Sequence, residues 1–200
     1  LQLIPRFYDV ESGEILIDGE NIQLLKQSTL RKQIGYVPQK ATLFSGTIAE
    51  NLSFGKEDAS EEEMYAALKT AQAIDFVEKR DQGIHSKLEQ AGVNLSGGQK
   101  QRLSIARSLV RKPKIYLFDD SFSALDYKTD RLLRHELKKE TGDATMIIVA
   151  QRVNTVKDAE KIIVLNDGKI VGVGTHQELL QENKIYQEIV ASQEDGEVSA

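Results

Sequence analysis

The sequence predicts an α/β domain with an inserted helical subdomain, on three observations. Ile34-Gly35-Tyr36-Val37, Ile115-Tyr116-Leu117-Phe118 and residues 144–150 are short apolar runs closed by Pro or polar residues, the pattern of strands buried on both faces. Residues 45–110, between the first two runs, are mostly helical in character. The 200 residues are 40% hydrophobic and 28% charged, which suits one domain with a real core.

Several classes are disfavoured at once. A net charge of -5 argues against a broad nucleic-acid-binding face. There is no cysteine, hence no disulfide framework and no Cys-based metal site. No apolar run approaches the ~20 residues of a membrane-spanning helix. No signal peptide is visible. The chain opens inside an apolar pattern, Leu1-Gln2-Leu3-Ile4-Pro5, without an initiator Met, and is read as a fragment.

Residues 6–37 read as β structure with turns. Glu14-Ile15-Leu16-Ile17 is a short strand entering an Asp18-Gly19 turn. Ser28-Thr29-Leu30-Arg31 is a short helical turn, and the run at 34–37 is stopped by Pro38. Gln39 follows, a polar residue that closes a turn or serves a site. In Leu43-Phe44-Ser45-Gly46-Thr47-Ile48-Ala49-Glu50-Asn51-Leu52 the apolar residues read as core. Residues 60–80 read as one helix with a Ser60-x-x-Glu63 capping box, burying Met64, Leu68, Ala71 and Ile74 or Phe76.

Leu95-Ser96-Gly97-Gly98-Gln99-Lys100-Gln101-Arg102 opens the next helix, with Leu103, Ala106, Leu109 and Val110 at i, i+3, i+6 and i+7. Ser96 stands at its N-cap. Unpaired N–H groups at a glycine-lined helix start let a phosphate approach closely. A plain capped helix after a glycine turn fits the same local pattern. The run at 115–118 ends in Asp119-Asp120. Two carboxylates at the C-terminal end of a buried strand are where an α/β nucleotide site puts its metal and its base; capping the next helix is their structural reading. Residues 144–150 form another buried strand, running into Gln151-Arg152-Val153. Residues 161–165 and 169–174 flank an Asn166-Asp167-Gly168 turn and read as a hairpin that completes the sheet. Thr175-His176-Gln177-Glu178 is a capping box, which makes His176 structural. Residues 193–200 are polar and acidic and read as a flexible tail.

Leu95-Ser96-Gly97-Gly98-Gln99 followed by Lys100-Gln101-Arg102 resembles the signature motif of ATP-binding cassette (ABC) proteins. Further matches cover nearly the whole chain. Val37-Pro38-Gln39 is similar to the Q-loop, whose glutamine oxygen reaches Mg²⁺ and the attacking water in that family. The 43–52 string resembles the segment that exporter-type ABC domains place against their membrane subunits. Asp119 matches the Walker B aspartate, which holds Mg²⁺ through water, and Asp120 stands at the place of the glutamate general base. Ser123-Ala124-Leu125-Asp126 matches the D-loop, which lies across a dimer interface.

The resemblance implies a P-loop NTPase (RecA-like) ABC ATPase core in residues 1–44 and 111–192, a helical subdomain in 45–110 and a tail in 193–200. It implies ATP and Mg²⁺ as cofactors. Catalytic roles fall to Asp120, Gln151 and Gln39, metal contacts to Asp119 and Gln39, and ATP contacts to Ser96, Gly97, Gly98, Gln99 and Asp126. The implied whole is an exporter at the cytoplasmic face of a bacterial membrane, moving a drug or a lipid. Its partners would be a second ABC half-transporter subunit and a transmembrane domain on the same polypeptide.

Four departures qualify the match. The Gly-x-x-x-x-Gly-Lys-[Ser/Thr] phosphate loop is absent; in the family it lies just before the point that matches Leu1, so these residues alone should bind ATP weakly or not at all. Gln90 and Ala91 replace the Glu and Arg of the exporter loop before Gly92. Asp120 is one methylene shorter than glutamate, holding its carboxylate about an ångström short of the water, a misplacement that costs ~100-fold in rate. Gln151 stands at the place of the switch histidine; an amide hydrogen-bonds but does not carry imidazole's charge or relay a proton. None of His85, His135 and His176 stands there. Two weakened catalytic positions beside an intact signature resemble the degenerate half of a heterodimeric exporter. The competing class, a soluble ABC-type ATPase acting on nucleic acid or ribosomes, lacks the 43–52 segment and carries insertions or basic patches not seen here.

Overall fold

The computed structural model describes residues 1–197, and the last three residues of the expected tail, 198–200, lie outside the described residues. The chain forms two compact units, Leu1–Val149 and the residues from Ala150 on.

In the first unit β1 (Leu16–Ile17) and β2 (Glu20–Asn21) make a short antiparallel hairpin. Asp18 and Gly19 between them both take left-handed backbone, as a two-residue hairpin turn requires. Then come α1 (Gln27–Lys32), β3 (Ile34–Val37), β4 (Gly46–Thr47), α2 (Ile48–Ser53), α3 (Glu61–Thr70) and α4 (Ile74–Glu78). They are followed by β5 (Lys87–Leu88), α5 (Gly97–Val110), β6 (Ile115–Asp119), α6 (Tyr127–Thr141) and β7 (Thr145–Val149). The three apolar runs become one parallel sheet in the order β3-β6-β7. Its central strand is the most enclosed, with Tyr116, Leu117 and Phe118 no more than 3% exposed.

The single helix expected over 60–80 is two helices. The capping box is present: Ser60 Oγ accepts from the Glu63 amide, and the Ser60 amide donates to the Glu63 carboxylate. The break falls at Gln72, whose backbone is left-handed (φ 56°). The Ala73 amide donates to the Leu68 carbonyl and the Gln72 amide to the Lys69 carbonyl, a Schellman closure built without glycine. Met64, Leu68 and Ala71 are buried as the periodicity predicts.

One continuous core joins the helices to the sheet. Leu68, Ile84, Leu103 and Ile105 belong to the same cluster as Val37 and Phe118. The helix α5 is its axis, burying Leu103, Ile105, Ala106, Leu109 and Val110. The loop after α2 approaches so closely that a Cβ on Gly55 would stand 2.0 Å from the Arg107 carbonyl oxygen.

The second unit holds α7 (Val153–Val156), β8 (Ile162–Asn166), β9 (Lys169–Gly174), α8 (His176–Glu182) and α9 (Lys184–Glu197). The predicted hairpin is present, but it does not complete the sheet: β8 and β9 form a separate two-stranded sheet. A two-residue turn of left-handed Asp167 and Gly168 lets β8 give its backbone groups to its sequence neighbour. Ile162, Val164, Leu179 and Tyr186 form a core of this unit's own. The Tyr186 hydroxyl is 2.8 Å from His176 Nδ1, in keeping with the structural reading of that histidine. Residues 193–197 continue α9. No helix among the described residues is long and apolar enough to cross a membrane.

Gly55→Ala should destabilise the fold by about 1–3 kcal/mol, because the obstacle is backbone and cannot swing aside. Urea unfolding checks this: the midpoint falls while the slope is unchanged.

Candidate functional site

The C-terminal ends of β3 and β6 build the centre of the site. Their parallel register sets Val37 beside Phe118, so both strands end at one level. Pro38 has no N–H and stops the ladder there. Beyond that point side chains take over. Ser121 Oγ, fully buried, donates to the Val37 carbonyl at 2.8 Å. Gln101 Nε2, 2% exposed on α5, donates to the Pro38 carbonyl at 3.0 Å. The turn that carries Gln39 is thereby fixed to the loop after β6 and to α5.

On that frame the two acids each receive a donor from β3 or its following loop. Tyr36 Oη donates to Asp119 Oδ2 at 2.9 Å, and Gln39 Nε2 donates to Asp120 Oδ2 at 2.9 Å. Burial first, and then the bond to Asp119, raise the Tyr36 phenol above its ordinary pKa. Asp120 has a left-handed backbone (φ 46°), which Asp tolerates better than most residues and which tends to mark functional turns. Its amide donates to the Val149 carbonyl at 2.9 Å and its own carbonyl accepts from Ser123 Oγ at 2.8 Å. The oxygens of Asp119, Asp120 and Gln39 are hard donors of the kind Mg²⁺ takes. Among the described residues no group of three or more His, Asp or Glu side chains forms a closed metal cage. A site with one or two protein oxygens, completed by phosphate and water, is the usual form for Mg²⁺, and this donor set fits it.

The second part of the site is the start of α5. Ser96 Oγ accepts from the Gln99 amide at 3.2 Å, and Gln99 Oε1 accepts from the Ser96 amide at 3.0 Å. The Gln99 side chain is thus engaged in capping. The amides of Gly97 and Gly98 precede any intrahelical acceptor. A Cβ on Gly97 would meet nothing within 4 Å, so that face is open, whereas one on Gly98 would stand 3.2 Å from the Ala124 carbonyl oxygen. The glycine pair therefore lies against the loop that leads to Asp126. Asp126 caps α6, accepting from the Thr129 amide at 2.9 Å and the Thr129 hydroxyl at 2.7 Å. The Thr129 hydroxyl, then its amide, hold this carboxyl below the usual carboxylate range. Arg102 braces the arrangement, donating to the Gln72 carbonyl with its guanidinium 5.0 Å from the Phe76 ring centroid.

The structure therefore brings together Gln39, Asp119 and Asp120, and separately Ser96, Gly97, Gly98 and the Asp126 loop. Gln151 belongs to the second unit, where its carbonyl accepts from Gln193 Nε2 at 2.7 Å. Three participants were not foreseen from sequence: Tyr36, Gln101 and Ser121. Tyr36 and Gln101 look like ordinary strand and helix residues, and their partners lie 83 and 63 positions away.

Residues 1–123 match the family model described as ABC transporter. The chain belongs to the ABC transporter family. An uncharacterised ABC transporter ATP-binding protein of Bacillus subtilis (strain 168) is 49% identical over 192 residues, covering 96% of this chain and 33% of the relative. A relative in Staphylococcus aureus (strain NCTC 8325 / PS 47), named as a proposed multidrug export ATP-binding/permease protein, is 45% identical over 193 residues with the same coverage. A solved structure of a bacterial Atm1-family ABC exporter with ATP bound superposes with a TM-score of 0.93 at 40% identity, covering 96% of this chain and 34% of that one. This ABC domain therefore has the P-loop NTPase fold of the exporter type, and it spans about one third of the length of the relatives it matches.

Gln101→Leu keeps the volume of the side chain but leaves the Pro38 carbonyl without its donor. It should lower stability by about 1–3 kcal/mol in equilibrium urea unfolding.

Proposed function

We propose that this chain is the ATP-binding domain of an ABC exporter, joined to a transmembrane domain on the same polypeptide and paired with a second ABC subunit. The observation that carries the reading is the open Gly97 face of α5 beside the Asp126 loop, on the same unit as the Gln39–Asp119–Asp120 cluster. One nucleotide site needs both halves, and an open signature face is suited to a nucleotide held by a neighbouring subunit. The amides of Gly97 and Gly98 would receive its terminal phosphate. Asp119, with Gln39, would hold Mg²⁺, which supplies neutralisation of the charge on the transferred phosphoryl group. Asp120 would accept the proton of the attacking water, with its carboxylate orientation held by Gln39 Nε2.

Contact with the membrane domain is supported by the segment around β4 and α2. Leu43, Ile48 and Leu52 face inward, while Phe44 and Phe54 are 48% and 60% exposed with ring centroids 4.6 Å apart. They line a cavity of about 280 Å³ together with Ser104, Ser108 and Arg107. The hydroxyls of both serines, and Arg107 Nη1, have no partner among the described residues. An exposed aromatic pair beside unsatisfied polar groups suits a docking segment.

Asp120 and Gln151 support a heterodimer in which this chain's own site hydrolyses poorly while its signature serves the partner's competent site. In the full-length pair with the partner's site disabled, Asp120→Glu combined with Gln151→His should raise ATP turnover by up to about 100-fold. Unchanged turnover would overturn the account of this site as weakened.

A further inference from the structure

The Gln39–Asp120 contact is made by an exposed loop residue, but Asp119 is held differently. Tyr36 sits inside β3, opposite Leu117 of β6. Side chains two residues apart on a strand share a face, so Tyr36, Leu117 and Asp119 line one face of the β3–β6 pair. The length of the phenol spans the diagonal, and its hydroxyl meets Asp119 Oδ2 at 2.9 Å. The ring is fixed from behind. Phe7 packs edge-on against it, with centroids 5.4 Å apart and planes at 86°. Arg31 in turn stands over the Phe7 ring, 5.4 Å from its centroid, and donates to the Pro5 and Arg6 carbonyls at 2.9 and 2.7 Å. The hydroxyl is thus presented by a rigid strand with a braced ring.

We infer that Tyr36 is a positioning residue for the metal-holding carboxylate of Asp119. By occupying Oδ2 it fixes the rotation of the carboxylate and presents Oδ1 in one orientation to the Mg²⁺ shell. Outer-shell donors of this kind are worth about 10–100-fold in metal affinity. The inference rests on the reading of Asp119 as the metal-side acid.

The test is Mn²⁺ titration of the full-length protein in the presence of the non-hydrolysable nucleotide AMP-PNP, following the loss of the free-Mn²⁺ EPR signal. Tyr36→Phe keeps the ring and its packing on Phe7 and loses only the hydroxyl, so the protein should still fold and unfold cooperatively, with a melting temperature lowered by no more than the loss of one hydrogen bond. Its Mn²⁺ affinity should fall about 10–100-fold. In an Asp119→Asn background the same change should have no further effect, because the partner carboxylate is already gone. Asp119→Asn with weakened Mn²⁺ binding beside an unaffected Tyr36→Phe overturns the role of Tyr36 alone. Unaffected binding in Asp119→Asn overturns the reading of the metal side, and this inference with it.

Discussion

Two parallel strands that stop at the same level leave carbonyls with no ladder to continue into. At the end of β3 it is the Pro38 carbonyl that runs out of ladder, and it cannot be left unpaired in a dry interior without a cost of about 1–3 kcal/mol. Gln101 satisfies it from the second turn of α5, and Ser121, from the loop after β6, adds a donor to the neighbouring Val37 carbonyl. These bonds do more than fill valences. They set where the chain turns after β3, and so where Gln39 stands relative to Asp120. The meeting of Gln39 with Asp120 is set on this frame.

The helix α5 is bound to its surroundings by the same logic on a larger scale. Its apolar face fills the core, and the arginines in it and at its C-cap reach out to backbone carbonyls of neighbouring segments. Arg102 donates to Gln72, Arg107 to Thr42, and Arg111 to Gly55 and Arg31. Burial lowers the pKa of both Arg102 and Arg107, the cost of taking a guanidinium out of water. Carbonyl partners give directional donors several acceptors in fixed positions. One helix therefore carries the glycine pair at its start, the Pro38 tether in its second turn and the anchors of neighbouring segments along its length.

Much of this was legible in the chain. The apolar runs at 34–37, 115–118 and 144–150 became β3, β6 and β7 within a residue or two, because each carries a continuous hydrophobic pattern and a clear stop. The third is not the buried strand its composition predicts: β7 stands at the sheet edge, with Ile147 and Val149 37% and 44% exposed. Ser60 and Thr175 each cap a helix with the predicted partner three residues on, and Ser96 stands at its predicted N-cap, where Gln99 completes a capping box that the sequence reading did not name. The break at Gln72 was hidden, since a left-handed glutamine leaves no trace in periodicity. The hairpin of β8 and β9 is legible in its two apolar runs and the turn between them, but the sheet it belongs to is not, because strand identity is local and strand neighbours are not.

The sequence by itself determined the elements, their caps, the acid pair at a strand end and the glycine pair at a helix start. Those depend on contacts within a few residues, which a linear pattern records. Only the tertiary structure decided that Tyr36 holds Asp119, that Gln39 holds Asp120, that Gln101 ties α5 to that turn, and that Gly98 rests on the loop before Asp126. The reason is physical: a hydrogen bond between residues 63 to 83 positions apart is set by strand register and helix packing, and the identity of either residue alone carries no information about its partner.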